Sequence, residues 1–200
     1  AYLPHLTDLG VASPDSGDIW FNTTPPEASA NNFTQGAPGF HTMLHELGHA
    51  LGLNHSFDED GVGIDDALPF ALESHQYTVM SYSDTAVSYD NGAAGFYPTT
   101  PMLYDIQAIQ YLYGANMSFH AGNDTYVFNG TSKYYQTIWD AGGNDTIQYV
   151  SATGGVIDLR AGEFSQLGTP FRVNTSDVFT HFQTENVAIA FNVLIENAIG

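Results

Sequence analysis

The chain of 200 residues carries 22 Asp and Glu against Lys133, Arg160 and Arg172 alone, a formal net charge of −19; this excludes the Lys/Arg clusters that release counterions from nucleic acid and disfavours anionic membrane surfaces. No apolar run reaches the ~18 residues of a membrane span. A 43% hydrophobic, 14% aromatic composition supplies a packed core, and the lack of cysteine removes disulfides and thiolate chemistry, so any metal must be held by His and carboxylates.

The chain begins at Ala1 without a Met, a charged n-region or an apolar h-region, so no Sec-type signal is expected and it reads as a processed or excised piece. Tyr2-Leu3 and Asp18 to Asn22 read as short strands separated by a turn segment rich in Gly, Ser, Pro and Asp. From Phe40 to Leu53, Met43, Leu44, Leu47, Ala50 and Leu51 recur at three- and four-residue steps, which predicts a helix with Gly52 placed to end it. A second helix is predicted from Pro101, suited to a first helical turn, through Leu103, Ile106, Ile109 and Leu112 to a stop at Gly114.

Beyond about Asn116 the texture changes to short β-like runs broken by Gly, Asn and Asp: Tyr126 to Phe128, Thr146 to Val150, Gly155 to Leu159 and Asn186 to Ile195. Regular turn punctuation of this kind suggests a sandwich or roll. AGNDTYVF from Ala121 and AGGNDTIQYV from Ala141 repeat one Gly-Asn-Asp-Thr turn feeding a strand.

The first helix contains HELGH. His45 and His49, at i and i+4, share one helix face and can reach one Zn²⁺ at about 2.0–2.1 Å. Glu46 lies about 100° round the helix, where its carboxylate can meet a water on the metal instead of the metal itself. The run continues as HALGLNH; a glycine at position 52 tolerates the sharp exit from a helix that swings His55 back as third ligand. Three His and a water make a catalytic type of zinc site. His41, four residues before His45, offers a rival pair without an intervening Glu and is assigned a structural role.

HExxHxxGxxH followed by Tyr77-Thr78-Val79-Met80-Ser81-Tyr82 resembles the metzincin metalloproteases with their methionine turn. The resemblance implies that Met80 packs beneath the zinc without ligating it. It also implies that Tyr82 is an additional ligand in the resting state, swinging away to stabilise the tetrahedral intermediate. Among metzincins the serralysins fit best, since YDIQAIQYLYGAN, DTYVFN, WDAGGNDTI and IENAIG are similar to consecutive segments of that family, over essentially the whole chain. Ser56 departs from the family, where Pro usually follows the third His. The resemblance also makes Ala1, Tyr2 and Leu3 the edge strand on which an extended peptide substrate pairs.

In WDAGGND, Asp140, Gly142, Gly143 and Asp145 form a tight turn whose oxygens are too few for calcium, which takes six to eight at about 2.3–2.6 Å. His120, Gly122 and Asp124 alternate and can add carbonyl or carboxylate oxygens. The resemblance implies that these two segments jointly hold a Ca²⁺, and that a second ion shares Gly143 and Asp145 with the segment of Leu194 and Glu196. In the family a GGxGxDxUx calcium-binding β-roll follows such a segment.

The expected architecture is α+β, with a metzincin, zincin-like catalytic subdomain over 1–114 and an all-β sandwich or β-roll-like, calcium-binding domain over 115–200. The expected function is a secreted bacterial zinc endopeptidase, exported by a type I route, in which zinc activates water and Glu46 acts as general base. The alternative is a non-catalytic calcium-binding module of a larger secreted adhesin or surface protein; the intact Glu46 argues against it. Only 44 residues precede His45, so an upstream chain segment is expected to complete the catalytic domain. Protein or peptide substrates are the expected partners, with neither nucleic acid nor membrane among them.

Overall fold

The computed structural model of the protein describes residues 18–19, 33–57, 67–82, 96–175 and 179–200, with backbone alone over 172–175 and 179–182. The expected strand at Tyr2-Leu3 lies outside these residues, as does most of the one at Asp18–Asn22.

The first helix, α1, runs Pro38–Ala50, two residues upstream of the predicted start. Pro38 stands at its first position, where the missing N–H costs no intrahelical bond. It stops at Ala50 because Gly52, at φ +93°, closes a Schellman pair: Leu53 N–H donates to Gly48 O and Gly52 N–H to His49 O, each at 2.9 Å. The second helix, α2, spans Leu103–Tyr113. Pro101 stays outside it, because the extended Met102 is the N-cap and its N–H donates to the Asp105 carboxylate at 2.8 Å.

Among the described residues eight short strands follow: β1 Thr125–Asn129, β2 Gln136–Ile138, β3 Thr146–Val150, β4 Phe164–Ser165, β5 Phe171–Thr175, β6 Phe179–Gln183, β7 Val187–Ile189 and β8 Asn197–Ile199. They make a parallel sheet β1-β3-β8, a mixed sheet β2-β7-β4 and an antiparallel pair β5-β6. The sequence repeat explains the first: its two Asn-Asp-Thr turns set Thr125 beside Thr146 in register. The turns lock as Asn144 N–H donates to Asn123 Oδ1 and Asp124 N–H to Asp145 Oδ1.

Helices with a parallel sheet, a mixed sheet and an antiparallel pair, all of short strands, do not support the sandwich expectation. Two predicted runs are also corrected. Gly155–Leu159 yields only a bridge between Val156 and Gln166, since side chains capture backbone donors at its end: Asp158 N–H goes to Ser165 Oγ and, just beyond the run, Arg160 N–H to Asp158 Oδ1. Asn186–Ile195 is strand only at β7, broken by a turn at Phe191-Asn192 in which Asn192 takes φ +64°.

One apolar core, including Phe128, Ile138, Ile147, Leu167 and Ile189, binds the sheets together. A second packs Leu53, Val79, Met80 and Met102 with Tyr135 and Phe171, so residues from the β-rich half form part of the packing beneath α1. Thr99 N–H to Tyr135 O at 2.8 Å and Thr137 N–H to Thr100 Oγ1 at 2.9 Å tie the halves further. Among the described residues no helix is long and apolar enough to cross a membrane.

Candidate metal centre

His45 and His49 come from one face of α1, and the turn at Gly52 returns His55 to them. The Nε2 atom of His55 lies 3.2 Å from that of His45 and 3.1 Å from that of His49. The opposite nitrogens are already committed: His45 Nδ1–H donates to Val79 O and His49 Nδ1–H to Leu53 O, each at 2.8 Å. A carbonyl only accepts, so both rings carry their proton on Nδ1 and turn a bare Nε2 lone pair inward. One proton on His55 can satisfy only one of them, whereas a cation satisfies all three. Tetrahedral zinc bonds of about 2.05 Å set ligands ~3.3 Å apart, so the three imidazoles fit that ion, with the second ring nitrogens oriented by backbone carbonyls. Burial holds the His45 pKa below the usual histidine value, against the opposing Val79 hydrogen bond, and neutral imidazole is the ligating form.

Glu46, Tyr82 and His45 line a cleft of about 390 Å³ shared with His41, His75 and Tyr97. The Tyr82 ring stacks on His45 at 5.4 Å between centroids and lies 4.5 Å from the His55 ring. Phe57 stacks on His55 from another side. Met80 is buried beneath α1, against Gly48 and not among the imidazole nitrogens. His41 stays out of the three-His cluster; its ring packs on His75 at 4.4 Å and Tyr97 at 5.2 Å. Burial, with His75 and His45 nearby, lowers its pKa to about 2, so it is neutral. The expected substrate strand of Ala1, Tyr2 and Leu3 lies outside the described residues.

Two buried carboxylates had no motif to mark them. Asp105 of α2 accepts from Thr78 Oγ1 at 2.5 Å and from Val79 N–H and Met102 N–H at 2.8 Å. It thereby ties the methionine turn to α2, and burial raises its pKa to about 6 against those hydrogen bonds. A lone acid three positions into an apolar helix was the available signal. Glu73 accepts from Ser56 Oγ at 3.2 Å and Ser81 Oγ at 2.5 Å. Ser56 also donates its N–H towards Met80 O at 3.4 Å, neither of which a proline could do.

In the β-rich half, carboxylate oxygens of Asp124, Asp140 and Asp145 lie within 4.8 Å of one another. Asp145 is fully buried and its Oδ2 has no hydrogen-bond partner, an arrangement that asks for a cation. Burial, helped by Asp140, Glu196 and Asp124, raises its pKa. Asp140 is oriented by Tyr126 OH on Oδ2 at 2.6 Å and Gly142 N–H on Oδ1 at 2.7 Å. Gly143, at φ +159°, packs onto the Gly122 carbonyl so closely that a Cβ would collide with it. His120 turns its ring onto Asp124 at 3.1 Å, while Glu196 accepts from Asp145 N–H at 2.7 Å. Leu194 is 68% exposed and shows no such link through its side chain. The donor set is all oxygen, which suits a hard cation such as calcium.

Residues 104–200 match the family described as peptidase M10 serralysin C terminal. The chain is 40% identical over 210 residues to a serralysin of Proteus mirabilis, covering 92% of this chain and 38% of that protein. It is 34% identical to serralysin B of Dickeya chrysanthemi, over 94% of this chain and 39% of the relative. With the metallopeptidase AprA of Pseudomonas marginalis the identity is 33%, over 100% and 42% respectively. The chain thus spans about two fifths of the length of these relatives.

Proposed function

The chain is a relative of the serralysin metallopeptidases of family M10, and from that premise we propose that it serves in a secreted, zinc-dependent endopeptidase. One observation carries this: three imidazole Nε2 atoms converge while backbone carbonyls hold the outer nitrogens of His45 and His49. His45, His49 and His55 would hold Zn²⁺, which supplies a Lewis acid that polarises the scissile carbonyl and lowers the pKa of water. Glu46, in the same cleft, takes the proton of the attacking water and returns it to the departing amine. The Tyr82 hydroxyl donates to the oxygen on which negative charge develops. No covalent intermediate with the protein is required.

In this reading residues 1–114 belong to the catalytic unit and 115–200 to a calcium-binding β-unit, with Asp124, Asp140 and Asp145 as its carboxylate ligands. The unpartnered Oδ2 of Asp145 supports that assignment. A calcium requirement suits an extracellular protein. Glu46 beside the three His favours the enzyme over a non-catalytic module.

Casein digestion tests the reading. Activity abolished by a zinc chelator, restored by zinc, and reduced about 10²–10⁴-fold in Glu46→Ala with zinc retained is the expected result. A Glu46→Ala protein within tenfold of the parent overturns the general-base role, and full zinc occupancy in His55→Ala overturns the third ligand.

A further inference from the structure

Glu73 sits in the stretch between the third His and the methionine turn, 9% exposed. Among the described residues the ion pairs are His120 with Asp124, and Arg160 with Asp158 and Glu163; Glu73 is held by hydroxyls instead. A single oxygen, Oε1, accepts from both Ser56 and Ser81. These two serines are buried, at 8% and 0% exposure, and each is the chain neighbour of a residue at the metal centre. Ser56 directly follows His55, and Ser81 directly precedes Tyr82.

The backbone around them is cross-linked as well. Leu68 N–H donates to Ser56 O at 2.8 Å, and a His75 Nε2–H donates to Ser81 O at 2.9 Å. His55 stands at a different place in the fold from its two fellow ligands. His45 and His49 stand on a helix and bond Val79 O and Leu53 O through Nδ1. His55 stands beyond the helix end, on a loop whose neighbouring side chain is anchored to Glu73.

We propose that Glu73 is a positioning residue, which through the Ser56 and Ser81 hydroxyls holds the loop of His55 against the segment of Tyr82 and so sets the third imidazole relative to the phenol. The inference rests on the zinc reading above. The Ser81 bond to Glu73, at 2.5 Å, has the length of a charge-assisted hydroxyl–carboxylate bond, while the Ser56 bond is longer, at 3.2 Å. Burying a carboxylate without a cation is costly, so the arrangement is retained at an expense that a merely space-filling residue would not incur. It also accounts for Ser56 at this position: the side chain is the link.

The test compares the parent full chain with Glu73→Ala, Glu73→Gln and Ser56→Ala, reading zinc affinity by chelator competition, the visible spectrum of the Co²⁺-loaded protein, and folding by circular dichroism. Gln keeps an acceptor oxygen for both hydroxyls, and Ser56→Ala removes one link with little change in volume. Loss of an outer-shell partner typically weakens metal binding 10–100-fold. Ser56→Ala and Glu73→Ala are expected to bind zinc about tenfold more weakly and to shift the cobalt bands, with Glu73→Gln returning both to within about threefold of the parent. If Glu73→Ala does not fold, Ser56→Ala and Glu73→Gln decide. A folded Ser56→Ala with parental affinity and spectrum overturns the proposal, as does a Glu73→Gln as impaired in zinc binding as Ser56→Ala. A parent that binds no zinc overturns the metal reading and this inference with it, whereas a parent with one zinc and unresponsive variants overturns this inference alone.

Discussion

The sulfur of Met80 occupies the space that a Cβ on Gly48 of α1 would need. Both residues are buried, so the methionine turn and the helix that carries His45 and His49 meet at van der Waals contact with nothing between them. A larger residue at 48 must push the turn away from the helix that carries His45 and His49.

Gly48→Ala is accordingly expected to destabilise the protein. Alanine in a helix interior gains about 1 kcal/mol over glycine, but overpacking a filled core costs about 1–3 kcal/mol, and the Met80 sulfur must give way to any Cβ at position 48. The net expectation is a loss of about 1 kcal/mol, read as a lower Tm in thermal unfolding, together with weaker zinc binding. A variant more stable than the parent, with unchanged zinc affinity, would show that the contact is slack.

Tyr82→Phe removes a hydroxyl and leaves the ring that stacks on His45. Deleting one donor to a developing oxyanion costs about 10²–10³-fold in kcat, so turnover should fall on that order with KM changed little. An effect confined to KM would assign Tyr82 to substrate binding.

Calcium removal should destabilise the β-rich half first. Without a cation, Asp124, Asp140 and Asp145 face one another in a protein of formal charge −19. Calcium at a hundredfold its Kd contributes about 2.7 kcal/mol, and about 2–4 °C per kcal/mol for a chain of this size predicts a Tm lower by about 5–10 °C in chelator. Asp145→Asn should abolish that response. Unchanged unfolding of the parent in chelator would refute the site.

Stability should also vary with pH through Asp105. Its folded pKa, about 6, lies above the 3.8 of a free aspartate, so the fold favours the neutral acid. The contribution is fully present below about pH 4 and is lost as pH rises through 6. Over that window the parent should lose stability relative to Asp105→Asn, which cannot ionise. Parallel denaturant midpoints for the two proteins from pH 4 to 7 would show that Asp105 does not titrate there.

Both helices, the strands at Thr125–Asn129 and Thr146–Val150, and the His45, His49, His55 set were legible in the sequence because each is a local pattern. The i, i+4 spacing places two imidazoles on one face, Gly52 turns the chain, and a repeated Gly-Asn-Asp-Thr turn starts two strands. Gly155–Leu159 misled because its composition suits a strand while its Asp158 N–H, and the Arg160 N–H just beyond it, go to the Ser165 and Asp158 side chains, a competition that composition does not display.

By itself the sequence determined the donor types: imidazole for one candidate metal site, carboxylate and carbonyl oxygen for the other, with cysteine excluded. Only the tertiary structure decided how those donors are held. Val79 O and Leu53 O assign the tautomers of His45 and His49, Asp105 and Glu73 clamp the methionine turn from α2 and from the loop of His55, and Tyr135 and Phe171 complete the core beneath α1. Apart from His49 with Leu53 and Glu73 with Ser81, these contacts join residues distant in sequence, and none follows the hydrophobic period, so they come into existence only when the segments pack together.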